Sequence, residues 1–438
     1  MDIAVIGAGA TGLAAGYELA KKGHAVTVFE KDKLGGLASA RPIGETYIDD
    51  LYHHIFTSDR EIIAYIDELG LSGSLTWVTP SNGLYMDRLY PFTNPADLLT
   101  FPAISFADRV RTGLTVLTAK GVSSYKRFED VSARDWLISR TGARVYEKLW
   151  RPLLYAKFDS DADAVSGVWI WNKFKLRGST RQNINSESLG YLYGGFIKLY
   201  EAMRDEILRN GGVMAREEVT GISREPDVPS PSGKRTRLRV TGKGPEGRNT
   251  AYTFDKALFT AAPQGLATLC EFPADYKNRL ARIKYKANIC VTLFLKKAVS
   301  KYYWVTIADD DAPFVLFIEH TNLIRDEGYK GAHIVYLSRY LDETDPLYNS
   351  ADAEITAVFL PYVKKMFPNF DERDITASFV SRARYTQPVI YKRYSELRLP
   401  FETPIDGLYL ASMPQIYPED RGQNYALALG KRAAEEIV

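Results

Sequence analysis

Cysteine is nearly absent from these 438 residues. Cys270 and Cys290 are the only two, too few for a disulfide framework and without the Cys/His spacing of a zinc site. No metal site is therefore expected. No run approaches the ~20 unbroken apolar residues of a membrane-spanning helix, so spanning is excluded, although lying on a membrane is not. Excess charge is missing too. Lys+Arg 56 against Asp+Glu 54 leaves +2, which gives no electrostatic reason to expect nucleic acid as a ligand. Internal repeats and low-complexity tracts are absent, and the chain opens on a strand-like run rather than a basic leader, so no secretory signal is expected. The expected location is the cytoplasm, with peripheral contact at the inner face of the membrane as the alternative.

What the chain has in quantity is aromatic surface: Tyr 28, Phe 20 and Trp 6. Such a chain can line an extended apolar pocket with polar tips, although a large core also absorbs many aromatics. Hydrophobic residues at 45% and charged residues at 25% are ordinary globular usage, and the length suggests two or three domains.

Residues 2–6 read as a buried strand, 7–12 as a glycine-rich turn and 13–22 as a helix closed by Gly23. Residues 25–29 form a second strand ending at Glu30, and together these make a βαβ unit. A helix follows at 60–70, then short strands at 77–91 with Asn82-Gly83 as a hairpin signal. Residues 95–187 read as mostly helical. A helix at 194–210, a strand at 213–222, an exposed loop or hairpin at 224–250 and a strand at 257–263 come next. Alternating runs over 285–397 predict an antiparallel sheet, followed by a buried strand at 408–412 and a terminal helix at 424–438.

The glycines carry the first functional signal. Gly7-Ala8-Gly9-Ala10-Thr11-Gly12 follows a strand and opens a helix, the context in which this spacing binds a dinucleotide. Gly7 permits the tight turn, Gly9 lets a pyrophosphate approach the backbone, and Gly12 allows close helix–strand packing. The helix N-terminus then offers free N–H groups to phosphate. Glu30, at the end of the second strand, is placed to accept ribose hydroxyls, favouring FAD or NAD over NADP. A second pair, Gly35-Gly36, lies close behind in Glu30-Lys31-Asp32-Lys33-Leu34-Gly35-Gly36-Leu37-Ala38, as a bulky flavin dinucleotide requires.

This stretch resembles the start of the FAD-dependent superfamily that includes amine oxidases, protoporphyrinogen oxidase, phytoene desaturases and UDP-galactopyranose mutase. Asp406-Gly-Leu-Tyr-Leu-Ala-Ser412, Tyr417-Pro-Glu-Asp-Arg-Gly422 and Asn424-Tyr-Ala-Leu-Ala-Leu-Gly430 resemble its closing strand, loop and helix. Gly194-Gly-Phe196 with the strand through Val219 resembles its adenine-contacting segment. Two positions depart from the pattern: Leu37 stands where an Arg often follows the glycine pair, and Ser412 where the closing strand often has Gly.

The resemblance implies FAD as cofactor, contacted by Gly7, Gly9, Ala10, Thr11, Gly12, Glu30, Lys31 and the run Gly35, Gly36, Leu37, Ala38. It adds Val219 and Ala262 in the middle of the chain, and Arg421, Gly422, Asn424 and Tyr425 at its end. The implied fold is α/β, a Rossmann-like FAD-binding domain of the glutathione-reductase type with a second α+β substrate domain. The first would span residues 1–74, 188–268 and 400–438. The second would span 75–187 and 269–399, with an antiparallel sheet and a helical insert at about 95–187.

Within Asp50-Leu-Tyr-His-His-Ile-Phe56, the segment His54-Ile55-Phe56 resembles one in UDP-galactopyranose mutase. His53 or His54 is the catalytic candidate, placed to hydrogen-bond flavin N5 or donate to substrate; packing against the ring is the plainer alternative. Substrate candidates are His320 and Asn322, Tyr385 and Gln387, and Tyr155 and Lys157, the last pair with Arg151 as anchors for an anionic head group. For each, a solvated polar strand end or helix face stands as the alternative. The expected reaction is hydride removal from a small-molecule or lipid-like substrate onto flavin N5, with a non-redox sugar mutase as the competing class. Leu98, Leu99, Phe101, Ile104 and Phe106, beside Arg109 and Arg111, form an apolar stripe expected to cap the substrate pocket or pack on the second domain rather than insert shallowly into a bilayer.

Overall fold

The computed structural model describes residues 1–179, 181–183, 186–226, 228–230, 233–235 and 237–438. Its first layer is a five-stranded parallel sheet in the order Val213–Ala215, Ala25–Phe29, Asp2–Ile6, Lys256–Phe259, Leu408–Leu410. Covered on both faces, its central strand is a continuous apolar run, with Ile3, Ala4 and Val5 fully buried. One face is covered by the helices Ala10–Lys21, Gln423–Ile437 and Ile197–Arg209. The other carries an antiparallel sheet of Glu218–Arg224, Leu238–Lys243 and Asn249–Phe254, whose Val219, Val240 and Phe254 close over Phe29 and Phe259.

The second layer is a seven-stranded sheet in the order Ile375–Pro388, Tyr285–Leu295, His333–Leu341, Leu316–Glu319, Trp304–Ile307, Asn82–Tyr85, Leu89–Pro91. Its pairings are antiparallel except that Trp304–Ile307 runs parallel to Asn82–Tyr85. The register sets Asn288 opposite Tyr340 and Lys286 opposite Gln387, and of these Tyr340 and Gln387 share Arg421 as a partner. The helices Phe106–Lys120, Ala133–Thr141, Arg151–Phe158 and Gly167–Ser179 lie in the insert, around a core containing Phe128, Trp150, Phe158 and Trp169.

The α/β architecture with parallel and antiparallel sheets is as expected, but several local readings are corrected. Asn82-Gly83 lies inside a strand, and the chain turns later, where Met86 N–H bonds to Arg88 O. A Cβ on Gly83 would sit 3.3 Å from the Tyr302 ring, so this glycine serves packing, not the turn. The strand expected at 213–222 is two strands of different sheets, broken at Arg216-Glu217. Of the exposed hairpin or loop expected at 224–250, the hairpin alternative holds, with Leu238–Lys243 paired antiparallel to both neighbours, but Val240 is fully buried and not exposed; 227, 231, 232 and 236 lie outside the described residues. So do 180, 184 and 185 of the insert.

In the apolar stripe, Phe101 and Ile104 are buried in the helical core and Leu98 packs against it. Leu99 (48% exposed) and Phe106 (68%) face outward, and Phe106 continues along its helix through Val110, Leu114 and Leu117, all exposed. Among the described residues no helix is long and apolar enough to cross a membrane, and no group of His, Cys, Asp or Glu is arranged to hold a metal.

Candidate active site

Both glycine turns sit at the carboxyl ends of the parallel strands, where open α/β sheets bind ligands. Gly7 accepts the chain from Asp2–Ile6, and its N–H bonds to Phe29 O at 2.8 Å. Gly9 and Gly35 lie side by side, and Gly35 N–H bonds to Ala8 O at 2.8 Å, so the two motifs form one surface. A Cβ on Gly12 would stand 1.9 Å from Gly7 O, and one on Gly430 would stand 2.2 Å from Thr11 O. No side chain fits at either position, and both helices therefore close on the turn backbone to backbone. Ala10–Lys21 has no side-chain cap and no acid in its first turn, leaving its N-terminal N–H groups for a ligand. Leu37 and Ala38 follow in a tight turn at Gly36–Ala38.

Glu30 is folded onto this surface. Its Oε2 accepts from Ala8 N–H at 2.9 Å and its Oε1 from Asp32 N–H at 2.8 Å. Lys31 points away and makes an exposed pair with Glu218 at 2.9 Å. Val219, next along, is buried behind Phe29, and Ala262 precedes the helix Pro263–Leu269. Ser412, one of the two departures from the family pattern, donates to Ala261 O at 2.7 Å and ties the closing strand to the middle of the sheet.

At the C-terminal approach, Gln423–Ile437 begins after an exposed Gly422 with no side-chain cap, a second free helix N-terminus. Asn424 does not offer its side chain there: its Oδ1 accepts from Glu61 N–H at 2.9 Å and Ile62 N–H at 3.1 Å, holding the start of Arg60–Glu68. Tyr425 beside it is half-buried, its hydroxyl pKa raised by burial.

Arg421 is turned inward into a polar cluster assembled from six separate stretches of chain. Arg421 Nη2 donates to Tyr340 Oη at 2.5 Å, and Nε donates to Gln387 Oε1 at 2.9 Å. Lys157 Nζ reaches the same phenol at 3.1 Å, and the Tyr52 hydroxyl lies 3.0 Å from it. Asp420 pairs with Lys173 and accepts from Gln387 Nε2 at 3.3 Å. Burial raises the Tyr340 phenol, but the Arg421 and Lys157 charges outweigh it and hold the pKa down at about 8. Of the sequence candidates, this brings together Lys157, Gln387 and Arg421. Tyr52, Tyr340, Lys173 and Asp420 were not expected; the signal that could have found Tyr52 is its position beside His53.

His53 is half-buried beside the ring of Phe196, and burial followed by the Arg421 charge lowers it to about 4, so it is neutral at pH 7. His54 stands in a box of Phe56, Tyr303 and Trp304, with Nδ1 2.9 Å from Tyr303 Oη. Other candidates lie elsewhere. His320 is fully buried between Tyr191, Tyr329 and Tyr336, with Nε2 3.1 Å from Tyr329 Oη. Asn322 donates to Ser300 O and Tyr302 O at 2.8 and 3.0 Å. His320 thus bonds within an aromatic cluster and Asn322 fastens the loop at Ser300 and Tyr302; as substrate contacts both stay proposals. Tyr155 is exposed with Arg151 over its ring, and Tyr385 packs edge-on to Tyr285 with Arg384 over its face.

Residues 10–438 match the sequence model of the flavin containing amine oxidoreductase family. Over 192 residues the chain is 30% identical to protoporphyrinogen oxidase 2, chloroplastic/mitochondrial, from Arabidopsis thaliana, a match spanning 40% of this chain and 37% of that relative's length. The fold is similar to that of a putative protoporphyrinogen oxidase from Exiguobacterium sp. 255-15, with TM-score 0.76, 17% identity, and 100% of this chain and 98% of that one covered. It is also similar to reduced UDP-galactopyranose mutase, with TM-score 0.73, 14% identity, and 100% and 95% covered. The chain belongs to the flavin containing amine oxidoreductase family. Its cofactor is FAD, and the surface where Gly9 lies beside Gly35 fits a dinucleotide, since even a Cβ on Gly9 would meet nothing closer than 4.0 Å.

Proposed function

We propose that this family member is an FAD-dependent oxidoreductase acting on a small-molecule or lipid-like substrate. The observation that carries the proposal is the convergence of two glycine turns and two uncapped helix N-termini at the ends of the parallel sheet, next to a closed polar cluster. FAD, when bound, supplies the electron sink, accepting a hydride at N5 from a C–H next to nitrogen, oxygen or an unsaturated carbon. Gly7, Gly9, Ala10, Thr11, Gly12 and Gly35 would hold the pyrophosphate through backbone, with Glu30 at the ribose and Val219 and Ala262 toward the adenine. Gly422 and the N-terminus of Gln423–Ile437 would face the flavin ring, with its partial positive charge favouring the reduced form.

His53, neutral at pH 7 beside the Arg421 charge, and Tyr52, in contact with Tyr340, would orient substrate or hold a proton. The glutathione-reductase type of FAD domain, and its discontinuous limits at 1–74, 188–268 and 400–438, belong to this proposal. So does the substrate domain over 75–187 and 269–399.

A second reading is a flavin-dependent sugar mutase without net electron transfer. It is supported by His54-Ile55-Phe56, whose histidine is boxed by aromatics. Anaerobic mixing with amines, polyprenyl lipids and nucleotide sugars tests both. Bleaching of the flavin by one substrate, with stoichiometric acceptor use in turnover, is expected. Turnover of a nucleotide sugar with only catalytic reductant would replace the oxidoreductase by the mutase.

A further inference from the structure

Lys157 and Arg421 are half-buried cations without a carboxylate of their own. Among the described residues neither makes a salt bridge; both donate instead to the single hydroxyl of Tyr340. The carboxylates nearby are already engaged. Asp420 is paired with Lys173, and Asp161 and Asp342 close on the fully buried Lys286 at 2.8 and 2.9 Å. Lys157, Lys173 and Arg421 thus share one buried carboxylate, that of Asp420. Cations drawn out of water are costly unless an opposite charge or hydrogen-bond acceptors compensate them. Within the chain that compensation is a phenol, which is mostly neutral at pH 7.

We propose that Lys157, Arg421 and the Tyr340 hydroxyl form the anchor for a carboxylate or phosphate group of the substrate, so that the enzyme acts on anionic molecules. This rests on the flavoenzyme reading for its place in catalysis, but not for the binding itself. An oxyanion here accepts charge-assisted hydrogen bonds from two cations of different geometry, a guanidinium fork and an ammonium point. The Tyr340 hydroxyl either donates to that oxyanion or, once ionised, takes its place.

That competition gives the site a pH signature. Arg421, Lys157 and Tyr52 face the phenol directly. Ser338 reaches it only through Tyr52, and Gln387 through Arg421. Lys286 with Asp342 forms a closed pair along the same strands, Asp420 is held ionised by Lys173, and His53 is neutral at these pH values. Tyr340 is therefore the group that titrates near pH 8, gaining a negative charge where the substrate anion would sit. Anion affinity should be flat below about pH 8 and fall about tenfold per unit above it.

Isothermal titration of the purified full chain with benzoate, its neutral isostere benzamide, and sulfate tests this, alongside the visible spectrum of the same sample. Benzoate or sulfate should bind at least about tenfold more tightly than benzamide, in line with a charge-assisted pair. Lys157→Met should erase that preference, and Tyr340→Phe should remove the loss of affinity above about pH 8. Equal binding of benzoate and benzamide, no binding of either anion, or unchanged anion affinity in Lys157→Met would overturn the anchor. The wild-type comparison stands even if a variant fails to fold. A colourless protein that still binds benzoate would sink the flavin reading and spare the anchor; a yellow protein indifferent to anions would do the reverse.

Discussion

The two halves of the candidate site are built in opposite ways. The cradle at the end of the parallel sheet comes from residues close in sequence: Gly7 to Gly12, Glu30 and Gly35-Gly36 lie within one βαβ unit and its continuation. The polar cluster gathers Tyr52, Lys157, Lys173, Tyr340, Gln387, Asp420 and Arg421 from helices, strands and a loop hundreds of residues apart. In the cradle, the absence of side chains makes the site. In the cluster, the side chains are the site, and their charges must balance one another. A glycine surface tolerates no addition, whereas a charge network tolerates no removal.

Adding one methyl to the cradle should have the largest effect. Gly12→Ala puts a Cβ against Gly7 O, and with no room to relax it is expected to cost at least about 4 kcal/mol and abolish FAD retention. Thermal unfolding and flavin content of the purified variant measure both. Removing a charge beside the cluster comes next. Lys286→Met removes the fully buried cation between Asp161 and Asp342 but leaves them Lys284, at 2.7 and 3.7 Å, so the expected cost is about 2–3 kcal/mol in urea unfolding, below that of a stranded buried charge. A loss below about 1 kcal/mol would show that the two carboxylates find other partners.

How far each half was legible follows from this difference. Turn chemistry and strand–helix spacing are local, so Gly7, Gly12, Glu30 and Gly35 could be named from sequence as one unit. Lys157, Gln387 and Arg421 could be named singly, but not as neighbours. What joins them is the register that sets Lys286 opposite Gln387 and Asn288 opposite Tyr340, which no single strand encodes. Asn424 shows the limit of the local approach. Its place in the first turn of the last helix is as expected, but its side chain serves the helix Arg60–Glu68, more than three hundred residues away. Asn82-Gly83 was misread because a turn dipeptide also fits a strand where a ring lies against the glycine.

A pair of adjacent carboxyls sharpens the contrast between burial and compensation. Asp49 is fully buried, and burial pushes it up to about 7, whereas Asp50 beside it is held low: burial opposes its charge, but Lys33, Arg41 and Ser39 outweigh it. A raised carboxyl contributes its stability below its unfolded value of about 4 and loses it as the pH rises through about 7. Asp49→Asn should therefore gain on wild type between about pH 5 and 8 by roughly 2 kcal/mol or more, read from paired urea titrations. A constant difference across that range would mean Asp49 is ionised in the fold. Asp50 has the opposite sign, giving stability that is present above about pH 4 and lost as the pH falls.

The smallest effects are expected at the rim. Glu30→Gln should weaken FAD binding by about tenfold at most with little change in unfolding, because one ribose or backbone contact is lost. Lys31→Ala, which removes only an exposed pair with Glu218, should stay within about 0.5 kcal/mol of wild type. If Lys31 mattered more than Glu30, the ribose edge would lie elsewhere.

The central claim is that the glycine surface holds FAD for redox chemistry, and the most direct test is the absorbance of the purified protein across about 350–500 nm, followed by identification of the flavin released on heating. The account predicts a yellow protein that carries or takes up near-stoichiometric FAD and loses it in Gly12→Ala. A colourless protein that takes up no FAD would contradict it.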